Sequence, residues 1–103
     1  MPIGSNAARV AGSALDPAVG WRLHPQVAVR PEPFGALLYH FGTRKLSFLK
    51  NRTIRSVIES LSEHDDLWSV LRANGVDAEH EQPYLHALGV LVESNMLVRK
   101  DDQ

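Results

Sequence analysis

A chain of 103 residues with 44% hydrophobic residues and a formal net charge of −1 holds enough apolar material for one small globular domain and too little for two. Cysteine is absent, which excludes disulfides, thiolate catalysis and cysteine-held zinc or iron–sulfur sites, and fits a reducing compartment. The opening Met1-Pro2-Ile3-Gly4-Ser5-Asn6 has no basic segment leading into an apolar run, and no stretch approaches the ~20 apolar residues that cross a bilayer, so a cytoplasmic protein without a membrane partner is expected.

Residues 1–20 are rich in Ala, Gly, Ser and Asn and show no apolar period, which predicts a flexible N-terminal tail. The folded domain is expected over 21–98, with 99–103 as a polar C-terminal tail. Short strands come first. One is predicted at 26–30, entered after Pro25 and ended by Pro31 and Pro33, and a second at 36–41, between Gly35 and Gly42. A third is predicted at 45–50, joined to the second by Gly42-Thr43-Arg44 as a hairpin. After Asn51 the period changes. Ile54, Val57, Ile58 and Leu61 fall at i, i+3, i+4 and i+7, the stripe of an amphipathic helix, with Asn51 or Thr53 as N-cap. A second helix is predicted over 66–73, capped by Asp65 or Asp66, with Leu67, Val70 and Leu71 inward and Gly75 ending it. The third is predicted over 83–94, with Pro83 in its first turn, Tyr84, Leu85, Leu88, Leu91 and Val92 as its apolar set, and Asn95 as its stop. Met96-Leu97-Val98 forms a brief extended segment. The expected fold is α+β, a three-stranded antiparallel sheet followed by a three-helix bundle, winged-helix-like in outline.

The near-neutral sum conceals a segregated chain. No acid occurs from Pro33 to Ile58, where Arg44, Lys45, Lys50, Arg52 and Arg55 lie, whereas 59–81 carries seven acids against Arg72 alone. Such a basic block attracts an acidic partner, although a solvated charged face has the same composition. The two sheet edges also differ. Pro25, Pro31 and Pro33 flank the first strand and cannot donate to a ladder, while 45–50 holds no proline or glycine. The third strand is therefore the edge open to an extended peptide added as a further strand. Leu46 and Phe48 on one face of it, with Leu85, Leu88 and Val92 of the third helix, are expected to line an apolar groove, Gly89 permitting close approach. Ordinary core packing explains each of these residues taken singly.

Two blocks carry a family resemblance. The first runs from Trp21-Arg22-Leu23-His24-Pro25 through Pro31-Glu32-Pro33-Phe34-Gly35 to Lys45-Leu46-Ser47-Phe48-Leu49-Lys50-Asn51, and the second is Pro83-Tyr84-Leu85-His86-Ala87-Leu88-Gly89-Val90-Leu91-Val92. Together they resemble the mycofactocin precursor peptide chaperones, recognition elements of ribosomally made, modified peptides related to the chaperone of pyrroloquinoline quinone synthesis. That resemblance implies a precursor peptide bound as an added strand beside the third strand and against the third helix. It also implies delivery to a radical S-adenosylmethionine maturase that decarboxylates and cross-links the peptide's C-terminal Val-Tyr end. The peptide contacts it implies are Leu46, Phe48, Lys50, Leu85, Leu88, Gly89 and Val92, with Lys45, Arg52 and Arg55 steering an acidic leader. No cofactor or metal is expected. Charge segregation alone makes the acidic second-helix region, including Asp65 and Asp66, the candidate surface for the maturase.

The alternative is a winged-helix DNA-binding transcriptional regulator. In that fold the third helix reads the major groove, but no Lys or Arg occurs from Ala73 through Val98, so cations for phosphate and guanine are missing. An enzyme fits less well. His80-Glu81 begins like a zinc-protease motif, but Gln82-Pro83-Tyr84 follows and the second histidine is lacking. His64-Asp65-Asp66 suits a helix start better than a metal, and His86 on a mostly apolar helix suits a structural role. No nucleophile elbow, phosphate-binding glycine loop or dinucleotide fingerprint is present. Trp21 and Trp68 are expected to pack rather than to stack on a ligand.

Overall fold

The computed structural model describes residues 15–101. In chain order these form β1 (Trp21–Leu23), β2 (Val27–Glu32), β3 (Gly35–His40), β4 (Leu46–Leu49), α1 (Arg52–Glu59), a 3-10 turn (Leu61–Glu63), α2 (Leu67–Ala73), α3 (Glu81–Glu93) and β5 (Leu97–Arg99). The expected α+β arrangement of one three-stranded antiparallel sheet and three helices is present. Its strands run in the order β2-β3-β4, and a second sheet joins β1 to β5.

That second sheet departs from expectation. Trp21 pairs with Arg99, Arg22 with Val98 and Leu23 with Leu97. The brief segment anticipated near Met96 is thus a paired strand that reaches Arg99, into the stretch expected as a polar tail. Residues 1–14 of the anticipated N-terminal tail lie outside the described residues. Residues 15–20 pack on the domain: Leu15 is buried, the carbonyls of Pro17 and Val19 accept from Leu67 N–H, and Lys100 N–H donates to Gly20 O. Trp21 is buried and its indole N–H donates to Asp16 O at 2.8 Å.

The strand at β2 also runs longer than its prolines suggested, continuing through Pro31 to Glu32. Register explains why. Phe41 N–H donates to Gln26 O, and Ala28, Arg30 and Glu32 lie opposite Tyr39, Leu37 and Gly35, so these residues bond inward to β3. Pro31, opposite Ala36, falls at an alternate position whose missing N–H would have pointed outward, where proline costs the ladder nothing.

One face of the three-stranded sheet is core. Ala36, Leu38, His40 and Leu49 are buried there, against Ile54, Val57 and Ile58 of α1, and α2 and α3 close the core with Leu67, Val70, Leu71, Leu88 and Leu91. Local chemistry sets the helix ends. Asn51 Oδ1 accepts from Thr53 N–H at 2.7 Å and Ile54 N–H at 3.0 Å, and Asp66 accepts from Ser69 N–H at 3.2 Å. Helix α2 closes with Val76 N–H on Leu71 O and Gly75 N–H on Arg72 O, Gly75 having φ +80°. Helix α3 closes the same way, Met96 N–H on Leu91 O and Asn95 N–H on Val92 O, with Asn95 at φ +64°. Its start lies two residues before Pro83, which still falls in the first turn, where a missing N–H is tolerated.

The tightest backbone approach is at Gly35. Its φ is +150°, and a Cβ there would stand 1.9 Å from Leu49 O and 2.8 Å from Asn51 N. The β2–β3 turn therefore lies directly on the end of β4. From the helix side, Arg52 Nε donates to Pro33 O at 3.2 Å and an Arg55 Nη donates to Gly35 O at 3.3 Å. Gly35→Ala is expected to lose about 2–4 kcal/mol of stability, combining the positive-φ penalty with overpacking. Asn51→Ala should lose about 1 kcal/mol with its cap. Urea midpoints for the two variants, read at an unchanged slope, check both magnitudes.

Candidate functional site

The ladder that holds β4 also determines what β4 leaves open. His40 N–H donates to Lys45 O at 3.0 Å, and Leu38 and Ala36 lie opposite Ser47 and Leu49. In an antiparallel pair, bonded and non-bonded partners alternate. Ser47 and Leu49 therefore turn their main-chain groups toward β3, and Leu46 and Phe48 turn theirs away. Among the described residues no strand pairs with that outer edge. The turn leading into β4 is held by the buried His40, whose Nδ1 accepts from Gly42 N–H at 3.0 Å and Thr43 N–H at 3.1 Å.

Beside the C-terminal end of β4 lies a groove of about 650 Å³. Phe48, Leu49, Lys50 and Asn51 form one wall, Pro83, Tyr84 and Ala87 of α3 the other, and Ile54 and Val76 lie between them. Glu79 and His80 stand at the rim. The buried Ile54 and Val76 make its inner lining apolar, and the exposed Lys50, Glu79 and His80 bring charge to its margin. Chemically its apolar interior suits a bulky apolar side chain.

The expected contact residues scatter around this site. Leu46 and Phe48 are 55% and 59% exposed, and both project from the outer sheet face, since Leu49 on the alternate face is buried. Lys50 is exposed and lines the groove. On α3, Leu88 is fully buried in the core. Leu85 lines a separate shallow concavity with Leu15, Pro17, Gln82 and His86. Gly89, one turn beyond Leu85 on the same side of the helix, is buried, and a Cβ on it would meet no atom within 4 Å. Val92 is half-buried against the core. The α3 wall of the groove is built instead from Pro83, Tyr84 and Ala87, a face rotated from the one expected. Spacing gave no signal for this face, because α3 is apolar on several sides and Ala87 is small.

The proposed steering cations separate as well. Lys45 is exposed, but Arg52 and Arg55 are fastened to the β2–β3 turn, and Arg55 lies 3.9 Å from Glu59. Around the acidic loop, Asp77, Glu79 and His80 bring one ligand atom each to within 4.8 Å of one another. Their bonding is that of a turn closed on itself: Asp77 Oδ1 accepts from the N–H groups of Glu79 and His80 at 3.1 Å and meets His80 Nδ1 at 2.6 Å.

Residues 20–98 match the model of the peptide chaperone MftB family. The chain belongs to that family. Peptide chaperone MftB of Mycobacterium tuberculosis is 63% identical over 98 residues, spanning 95% of this chain and 90% of the relative. Its counterpart in Mycobacterium ulcerans is 64% identical over 101 residues, 98% of this chain and 92% of the relative. That of Mycolicibacterium smegmatis is 72% identical over 84 residues, 82% of each chain. No solved structure matches the chain. The matched span covers the three-stranded sheet with the open edge of β4 and both walls of the groove, and it ends within β5. Among the described residues no helix is long and apolar enough to cross a membrane.

The His80 hydrogen bond holds the Asp77 carboxyl below the usual aspartate range, and the loop N–H groups act in the same direction. A lowered folded value means that the loop's contribution to stability is complete above the unfolded aspartate value and is lost as pH falls through the folded one. Carboxyl-detected NMR titration should place the Asp77 midpoint below that of an ordinary aspartate, and His80→Ala should move it upward.

Proposed function

We propose that this chain carries a ribosomally made precursor peptide, the mycofactocin precursor, as a strand added to the outer edge of β4, and delivers it to the radical S-adenosylmethionine maturase that modifies it. In this reading the domain is a winged-helix-like recognition element and its role is non-catalytic. The observation that carries it is the open edge of β4, where Leu46 and Phe48 direct main-chain donors and acceptors outward beside an apolar groove, in a member of a peptide chaperone family. An antiparallel peptide would take up to four main-chain bonds from those two residues. Side chains opposite Ser47 and Leu49 would point to the α3 side, where Tyr84 and Ala87 receive them, and Lys50 would meet an acidic group of the peptide. Leu85, Leu88, Gly89 and Val92 then support α3 rather than touch the ligand.

The edges favour β4. Pro31 removes a donor from the free edge of β2, whereas β4 keeps all of its donors. The DNA-binding alternative gains nothing, because α3 carries no Lys or Arg from Glu81 to Glu93.

Register selects the diagnostic variant. Phe48→Pro removes an outward N–H and spares the bonds to β3, whereas Ser47→Pro would break the sheet itself. Calorimetric titration with the precursor peptide should give saturable binding that Phe48→Pro weakens at least tenfold, about 1.4 kcal/mol or more. Ala87→Trp, which fills the groove without touching the strand, should weaken it comparably. Native affinity in both folded variants would overturn strand addition at this edge.

A further inference from the structure

The residues whose main chain faces the open edge also build a second surface. Leu46 and Phe48 project from the side of the sheet opposite the core, beside their cross-strand partners Tyr39 and Leu37. Two further rings extend this face. Phe34 lies 6.3 Å from the Phe48 ring, and Phe41 stacks edge-on against Tyr39 at 5.0 Å. Phe34, Phe41, Leu46 and Phe48 are four of the five large apolar side chains exposed among the described residues. Among the described residues no helix covers them, since α1 packs on the opposite face of the sheet. An apolar patch of this kind on a small domain marks an interaction surface.

Charge narrows what can cover it. Arg44, Lys45 and Lys50 are exposed around the patch, and no acid occurs between Glu32 and Glu59. Glu32, at the far strand, is ion-paired with Arg30 at 2.8 Å. A second copy docked symmetrically would set this basic rim against itself. A protein with an apolar patch and an acidic rim would meet it with complementary potential. The acidic segment 59–81 is a poorer docking surface: none of the exposed large apolar side chains of the described residues belongs to it, and Asp66 is engaged in capping α2 with Ser69.

We infer that this outer sheet face is the docking surface for the peptide-modifying enzyme, and that the enzyme presents to it an apolar patch rimmed by acidic side chains. The inference rests on the carrier reading above and adds geometry to it. A strand added at β4 continues the same sheet, so every second side chain of the peptide joins the Leu46–Phe48 face. The enzyme then contacts chaperone and peptide on one continuous surface, and the loaded chaperone presents a wider sheet face than the empty one.

The test uses the full chain, the precursor peptide and the radical S-adenosylmethionine enzyme. Phe41 is 60% exposed and lies off β4, so Phe41→Glu should keep peptide affinity within twofold while weakening enzyme binding by the loaded complex at least tenfold. Arg44→Glu should weaken enzyme binding at least threefold, and added salt should weaken the native complex. Folding of each variant is checked by circular dichroism. Undiminished enzyme binding by both variants, with peptide affinity intact, overturns the inference alone. Failure of the native chain to bind peptide overturns the carrier reading first. Self-association of the native chain abolished by Phe41→Glu in sedimentation would assign the face to a second copy. Flotation with phosphatidylglycerol vesicles, lost in that variant, would assign it to a lipid surface. Either result overturns the inference.

Discussion

The alternation of main-chain bonds along β3 is the constraint from which the rest of the molecule follows. Phe41, Tyr39 and Leu37 belong to the positions that bond toward β2, and His40, Leu38 and Ala36 to those that bond toward β4. The same parity sends Leu38 and His40 into the core and Leu37 and Tyr39 to the outer face, because side-chain direction and bonding direction both repeat every two residues. A slip of one residue would bury Phe48 and expose Leu49, and it would turn the free donors of β4 inward. Gly35 prevents that slip. Only a residue without a Cβ can lie against Leu49 O, so the end of β4 has one permitted seat.

That seat in turn positions the helices. Asn51 follows β4 directly and caps α1, while Arg52 and Arg55 reach back to the turn at Pro33 and Gly35. Cations of the strongly basic middle segment thus serve as fasteners where they sit near carbonyl oxygens, while Arg44 and Lys45 at the sheet's rim are exposed. On the far side, Arg72 ties α2 to the start of α3 through Val76 O at 2.9 Å and Glu81 at 3.0 Å. This contact holds the loop that forms one rim of the groove. The pairing of β1 with β5 closes the domain behind it, and Lys100 Nζ donates to Ser62 O at 3.1 Å, fixing the 3-10 turn against the end of the chain.

The two free edges receive opposite treatment. On β2, proline occupies an outward position and removes a donor; on β4, every donor is retained and the flanking lysines are the deterrent to stray pairing. An edge left open carries an aggregation risk unless a partner uses it. Exposed Phe48 and Leu46 raise that risk further, which supports reading edge and face together as surfaces that are covered in the cell.

Much of this was written in local sequence. The change from period two to period 3.6 after Asn51, the caps Asn51 and Asp66, and the stops Gly75 and Asn95 are short-range chemistry, and the three helices formed where that chemistry placed them within a few residues. The open edge was legible too, because proline removes a donor wherever it stands. Tertiary structure alone decided three things. It paired Trp21–Leu23 with Leu97–Arg99, since two three-residue strands separated by the whole domain carry no local signal. It fixed the rotation of α3, placing Tyr84 and Ala87 rather than Leu85, Leu88 and Val92 at the groove, because a helix apolar on several sides does not declare which side meets the sheet edge. And it set the bonding parity of β4, which depends on one turn's geometry at His40 and one close approach at Gly35, both contacts between residues that sequence spacing does not rank.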